Sequence, residues 1–105
     1  MKKLIFVAAF MATLAAPATA WTETAQERCL GVASTAHSIM AAHQRGLPLA
    51  EMLAHVGRSF SDPEYVIAYE TLAVIAYGEP RYQTEAAQER SAANFRDEVH
   101  VWCLS

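Results

Sequence analysis

Residues 61–78, SDPEYVIAYETLAVIAYG, form the stretch that decides the fold. Asp62 followed by Pro63 is a strong helix start, because an aspartate side chain can accept a first-turn N–H and proline has its φ preset for the first helical position. Gly78 favours the left-handed conformation that ends many helices, and Pro80 prevents the helix from resuming. The pattern therefore predicts a helix over 62–77.

This helix is apolar on more of its circumference than a surface helix requires. After the cap, only Glu64, Glu70 and Thr71 are plainly polar. At about 100° per residue, one broad arc gathers Tyr65, Val66, Ala68, Tyr69, Leu72, Ala73, Ile75, Ala76 and Tyr77. Ile67 and Val74 lie on the far side. We therefore expect the helix either at the centre of a bundle or with one side against a second copy or a partner.

Five residues of this helix make up the candidate interface: Tyr65, Ile67, Tyr69, Val74 and Tyr77. Tyr65 and Tyr69 lie one turn apart and are most simply interpreted as core or rim packing, with their hydroxyls reaching water. A pair of tyrosines that lines a ligand site is the alternative.

The first 20 residues have the features of a secretory signal peptide. Lys2 and Lys3 supply the positive start, residues 4–16 the short apolar run, and residues 18–20 the small-residue cleavage site. The apolar run is shorter than the roughly 20 residues that span a membrane. We therefore predict cleavage before Trp21, a single helical domain over 21–105, a periplasmic or secreted location, and no stable membrane insertion after cleavage.

Charge and length limit the classes of partner. The net charge of −3 becomes −5 without the leader, because both lysines lie in the leader and six arginines remain against 11 acidic residues. The arginines are scattered and form no basic patch, which argues against a nucleic-acid partner. A chain of this length is expected to form one small domain, whose core is marginal without a covalent staple.

Three further segments have helical patterns, and the first opens at Thr24 and ends before Gly46. Its inward face is Cys29, Val32, Ala33, Ala36, Ile39, Met40 and His43. The second carries Leu49, Met52, Leu53 and Val56 at helical spacing, with Phe60 available to fill the core. The last begins at Thr84 and clusters Ala92, Phe95, Val99, Trp102 and Cys103 on one side.

No alternating strand pattern bounded by turn residues is present in the sequence. The predicted fold is therefore all-α, a small bundle of about four helices over residues 24–45, 48–58, 62–77 and 84–103.

Cys29 and Cys103 are the only cysteines, and the predicted leader sends them to an oxidising compartment. A disulfide between them is the expected outcome. It closes a loop of about 75 residues, for which the chain-entropy relation gives roughly 4 kcal/mol of stabilisation. The alternative is a reactive thiol pair, which lacks the Cys-x-x-Cys arrangement that lowers a thiol pKa.

Motifs of catalysis and metal binding are missing from the sequence. The histidines at positions 37, 43, 55 and 100 include no pair three or four residues apart, and there is neither a Gly-x-Ser-x-Gly turn nor a glycine-rich phosphate loop. We expect His43 to contact terminal carbonyl groups of its own helix. We expect no catalytic residue, metal, cofactor or small-molecule ligand, although a metal site built from distant segments stays open.

The segment PRYQTEAAQERSAANFRDEVHVWCLS, the upstream QRGLPLAEM turn and the leader resemble a class of small exported proteins of Gram-negative bacteria and their prophages. This resemblance implies an all-helical, single-disulfide, periplasmic or secreted protein without an assigned activity. In architecture alone the chain is also similar to the Hde-type periplasmic acid-stress chaperones, which are short, helical, stapled by one disulfide and dimeric at neutral pH.

We therefore expect a non-catalytic exported protein of the cell envelope that acts through protein–protein binding or self-association. One alternative is an acid-activated periplasmic chaperone, in which acidification neutralises carboxylates and charges the four histidines. The other alternative is an inhibitor of an envelope hydrolase, for which residues 79–83 are the best candidate loop.

Overall fold

A computed structural model describes residues 24–105, and the predicted signal peptide over 1–20 lies outside them. Within 24–105 the chain forms four α-helices and no strand. They are α1 over 24–44, α2 over Leu49–Ser59, α3 over Pro63–Tyr77 and α4 over Glu85–Leu104. The predicted all-α bundle is confirmed, and each helix boundary lies within one residue of the sequence pattern.

Two of the predicted N-caps are present. The Asp62 carboxylate accepts a hydrogen bond from the Glu64 N–H at 3.0 Å, and the Thr84 hydroxyl oxygen accepts one from the Ala87 N–H at 3.1 Å. Each bond satisfies an N–H that the first turn of a helix leaves without an intrahelical acceptor. These caps fix where α3 and α4 begin.

The expectation that Gly78 is left-handed is wrong. Its φ is −76°, because Gly78 and Glu79 donate to the carbonyls of Ile75 and Ala76 at 3.1 Å and extend the last turn of α3 in right-handed form. Gly46 is the left-handed glycine, with φ 95°. A Cβ on Gly46 would lie 2.9 Å from Nη2 of Arg81, the end of a flexible side chain that can move aside, so it is the left-handed backbone that requires glycine there.

Short turns make consecutive helices antiparallel. His43 and Tyr77 meet at the C-terminal ends of α1 and α3, and the Cys29–Cys103 disulfide joins the opposite ends of α1 and α4. Of α2, α3 and α4, only α2 and α3 have closely approaching backbones along their length. The bundle therefore runs up, down, up and down, with α4 fastened to α1 at the disulfide.

All four helices contribute to the core. Its buried members are Ala36, Ile39, Met40, Ala42, Met52, Val56, Tyr69, Leu72, Ala73, Ala76, Ala92, Phe95 and Val99. The predicted inward face of α1 is confirmed, since six of its seven residues are buried and Val32 is half-buried. Ala36, Ala73 and Ala76 have no exposed surface, because small side chains are what permit close helix approach.

The expectation that Trp102 packs on the inward side of α4 is wrong, since its side chain is 67 % exposed. The disulfide directs the Cys103 side chain toward α1. Trp102 precedes Cys103 in the helix, so its side chain points about 100° away from that direction.

The predicted disulfide is confirmed. Cys29 and Cys103 are bonded, their Cα atoms lie 5.6 Å apart, and 74 positions separate them in sequence. Neither cysteine is left as a thiol within the described residues. The bond joins helices from the two ends of the described chain.

Candidate protein-binding surface

One side of α3 is apolar and open to solvent. We call it the α3 face and define it as Ile67, Ala68, Thr71, Val74 and Ile75. Ile67, Val74 and Ile75 are 64 %, 57 % and 54 % exposed. The Thr71 hydroxyl donates to the Ile67 carbonyl at 2.8 Å, so the only polar side chain within the face already has a partner. No charged residue belongs to the face.

The charged residues of α3 lie at the edges of this face. Glu64 is exposed in the first turn, and Glu70 is half-buried on the flank toward the rest of the bundle. Solvent-facing helix surfaces ordinarily carry charged and polar side chains. An open face with charge only at its margin is typical of a surface that another molecule covers.

The structure divides the five residues of the candidate interface. Ile67 and Val74 lie on the α3 face, and Tyr65 is 38 % exposed beside it. Tyr69 is only 4 % exposed and packs with its ring centroid 4.5 Å from that of Phe60 and 6.0 Å from that of Tyr65. Tyr69 is therefore a core residue, and Phe60 closes the core as the sequence predicts.

Tyr77, the fifth of these residues, fastens the end of α3 to the turn after α1. Its hydroxyl donates to the Leu47 carbonyl at 2.7 Å, and its ring lies 4.3 Å from the His43 ring. Burial raises the pKa of the Tyr77 phenol, and the nearby Glu51 carboxylate adds to the rise. Tyr77 thus serves packing and hydrogen bonding inside the chain.

The Tyr77 phenol should make stability fall at alkaline pH. A raised pKa means that the folded state favours the neutral phenol, so this contribution is complete below about pH 10, the phenol's ordinary pKa, and is lost as pH rises through the folded value. We expect the urea midpoint to fall more steeply between pH 9 and 11 in the wild-type chain than in Tyr77→Phe. Tyr82→Phe, at a 40 % exposed side chain, is the matched control. Equal slopes for all three proteins would contradict this role.

Ala68 and Ile75 belong to the α3 face, although the sequence pattern placed both in the inward arc. That arc was too wide, because the buried sector of α3 holds only Tyr69, Leu72, Ala73 and Ala76. Ala73 and Ala76 mark the centre of the contact, and Ile75 lies about 100° from Ala76 around the helix.

The connector between α3 and α4 is held by side chains from α1 and α4. The Gln44 amide donates from Nε2 to the Pro80 carbonyl at 2.9 Å and accepts at Oε1 from the Tyr82 N–H at 2.8 Å. Nε2 of His43 donates to the Glu79 carbonyl at 2.7 Å, and Gln88 donates to the Tyr82 carbonyl at 2.8 Å. The exposed loop is therefore rigidly held.

Two features of this connector differ from the sequence-based expectation. His43 does lie at the C-terminal end of α1, but it serves a carbonyl of the connector and not one of its own helix. Gln44 is 1 % exposed and also lies 3.4 Å from the Ser91 hydroxyl, yet no sequence pattern singled it out.

A second apolar cluster surrounds the disulfide. Leu30, Val101, Trp102 and Leu104 are each more than half exposed and lie within two residues of Cys29 or Cys103. These four large side chains add to the apolar surface that is exposed to solvent at this end of the bundle.

A groove of about 690 Å³ lies between α1 and α2. Its floor includes Ile39, Met52 and Val56, which are at most 4 % exposed, and its rim carries Arg45 and Arg58.

Within residues 24–105, no helix is both long and apolar enough to cross a bilayer. The same residues include no cluster of three or more histidine, cysteine or acidic side chains placed to hold a metal ion. The chain matches no protein-family model, no curated protein and no solved structure.

Proposed function

We propose that this chain is a non-catalytic, exported protein of the cell envelope that acts by binding protein through the α3 face. The observation that carries the proposal is the exposure of Ile67, Val74 and Ile75 on a helix whose stretch 65–78 has a single charged residue, Glu70. A partner helix that covers these three side chains removes apolar surface from water without burying a charge.

The energetics favour such binding. Full burial of an aliphatic side chain of this size is worth about 1.5 to 3 kcal/mol, so covering one that is more than half exposed contributes about 1 to 2 kcal/mol. Covering Thr71 would not leave an unpaired hydroxyl buried, because the hydroxyl already donates a hydrogen bond to the Ile67 carbonyl within α3. The α3 face can therefore supply association energy with almost no polar penalty.

Export is supported by two independent features. The leader has the three-part organisation of a secretory signal. The Cys29–Cys103 disulfide belongs to the kind of bond that persists in the periplasm or outside the cell and is rare in a reducing cytosol.

Site-specific photo-cross-linking tests the proposal. A photoreactive residue is placed at Ile67 or Val74 in the full chain, expressed in a bacterium that exports it, and the envelope fraction is irradiated. We expect one discrete adduct from both positions, because a partner covers both side chains. Glu89, exposed on α4, is the control position and should give none.

A fourth photoreactive position, Gln83, separates the proposed function from hydrolase inhibition. Gln83 is exposed on the connector that His43, Gln44 and Gln88 hold in place, as an inhibitory loop requires. An adduct from position 83 together with none from 67 and 74 would contradict binding through α3 and favour the inhibitor.

A further inference from the structure

We infer that the partner of the α3 face is a basic amphipathic helix of another protein. Its apolar stripe covers the face, and its lysine or arginine side chains pair with the carboxylates around the face. This inference rests on the proposed function and names the chemical class of the partner. The observation that carries it is the juxtaposition of three carboxylates, from Glu64, Glu70 and Glu79, with the exposed apolar side chains of α3.

The three carboxylates border the α3 face, each three or four positions from one of its large apolar residues. Side chains at that spacing are neighbours on a helix surface. The pairs are Glu64 with Ile67, Glu70 with Val74, and Glu79 with Ile75. Glu79 follows α3 but continues its last turn, since its N–H donates to the Ala76 carbonyl at 3.1 Å. Glu64 and Glu79 therefore lie toward the two ends of the face, and Glu70 lies along one flank.

The negative charge of the chain is concentrated on this segment. Residues 59–80 contain four acidic residues and no lysine, arginine or histidine. The other residues from 21 to 105 contain seven acidic residues against six arginines. The segment around α3 therefore carries −4 of the net charge of −5 that remains without the leader. A partner that approaches the α3 face meets a negative field that is specific to this side of the molecule.

These carboxylates are open to a cation from outside the chain. Among residues 24–105 the one ion pair is that between Arg96 and Asp97 on α4, at 2.9 Å. Glu64 and Glu79 are exposed, and Glu70 is half-buried. A lysine or arginine of the partner can consequently approach each carboxylate without displacing an existing ion pair.

The acidic border selects among helical partners. α3 has 15 residues and is about 22 Å long, so a partner helix of about four turns spans the carboxylates at both ends. A helix with lysine or arginine beside its apolar stripe gains attractive pairs in addition to apolar contact. A helix with an acidic border meets like charges at the edge of the contact, which disfavours it. Charge complementarity thus adds specificity to the apolar contact of the proposed function.

Binding of a synthetic peptide to the oxidised protein purified from the envelope fraction tests this inference. The probe is an amphipathic helix of leucine and lysine, and the matched peptide has glutamate in place of lysine. Fluorescence anisotropy should show the lysine peptide binding at least about tenfold more tightly, a difference of about 1.4 kcal/mol. The lysine peptide should also cross-link to a photoreactive residue at position 67 and not to one at position 89. Equal affinities for the two peptides would overturn the inference.

Two triple variants separate the border of the α3 face from net charge alone. Replacing Glu64, Glu70 and Glu79 together by glutamine should weaken binding of the lysine peptide about tenfold, because three partly solvated ion pairs are lost. The matched control replaces three exposed glutamates of α4, which changes the net charge equally and should alter the affinity by no more than about twofold. These are Glu85, Glu89 and Glu98. Added salt should weaken binding to the wild-type chain more than to the α3 variant. Equal weakening by the two triple variants overturns the inference, since net charge then explains both.

The outcomes in the envelope separate this inference from the proposed function. An adduct from position 67 that maps to a lysine- or arginine-rich helix of another protein supports the inference. An adduct of twice the mass of the chain, or one that maps to a segment without lysine and arginine, overturns the basic helix and leaves protein binding through α3 in place. No adduct from positions 67 and 74 overturns both. Circular dichroism and intact mass confirm beforehand that each variant is helical and keeps the Cys29–Cys103 bond.

Discussion

Replacing Cys29 and Cys103 together by alanine lowers the free energy of unfolding by about 4 kcal/mol, the value that loop-closure entropy gives for a loop of about 75 residues. The bond spans nearly all of the described chain, with 74 positions between its ends. α4 also lacks a closely approaching backbone in α2 or α3. Without the bond, its C-terminal turns keep only their non-covalent packing, so we expect α4 to fray first.

Urea denaturation of the wild-type chain and the double variant measures this effect. Small domains are stable by about 5 to 15 kcal/mol in total, so a loss of about 4 kcal/mol removes a large share of the margin. Reduced wild-type protein is the control and should match the double variant. A loss below about 1 kcal/mol would contradict the disulfide as a main source of stability, because loop-closure entropy predicts a loss of about 4 kcal/mol.

Replacing Gln44 by alanine is expected to cost about 2 to 4 kcal/mol, through lost hydrogen bonds and a small cavity. Gln44 is 1 % exposed, and its amide holds the Pro80 carbonyl and the Tyr82 N–H at 2.9 and 2.8 Å. Its backbone carbonyl also accepts two long bonds of 3.4 Å from the Arg81 guanidinium. Truncation removes the amide, so the connector loses its central attachment.

Thermal and urea unfolding of Gln44→Ala test this prediction beside Gln83→Ala. Gln83 is the same residue type on the exposed side of the connector, where substitutions ordinarily change stability by less than about 0.5 kcal/mol. Amide hydrogen exchange should in addition show faster exchange at Tyr82 in Gln44→Ala. Equal stability of the two variants would show that the connector is held by its ends alone.

The sequence was sufficient for the elements and the staple because those depend on local chemistry. The helix starts could be predicted from neighbouring residues, because Asp62, Pro63 and Thr84 each stabilise the first turn of their own helix. The disulfide followed from a count, since two cysteines in a chain with a predicted export leader leave one pairing.

The candidate site was only half predictable, because its outline depends on which neighbour each helix has. Ile67 and Val74 were identified as outward by their angle on the helix, but Ile75 and Trp102 are exposed because α3 and α4 each lack a neighbour on one side. Gln44 was missed for a different reason. Its partners in the connector and in α4 lie 36 to 47 positions away in sequence, and a single glutamine at a helix end carries no pattern.

The proposed function requires that protein in the envelope covers the open apolar side of α3. The most direct measurement is the yield of photo-cross-linked adduct from position 67 compared with that from position 89, in the intact chain present in the envelope fraction. We predict a discrete adduct from position 67 and none from position 89. No adduct from position 67, in protein that is helical and disulfide-bonded, would contradict the account.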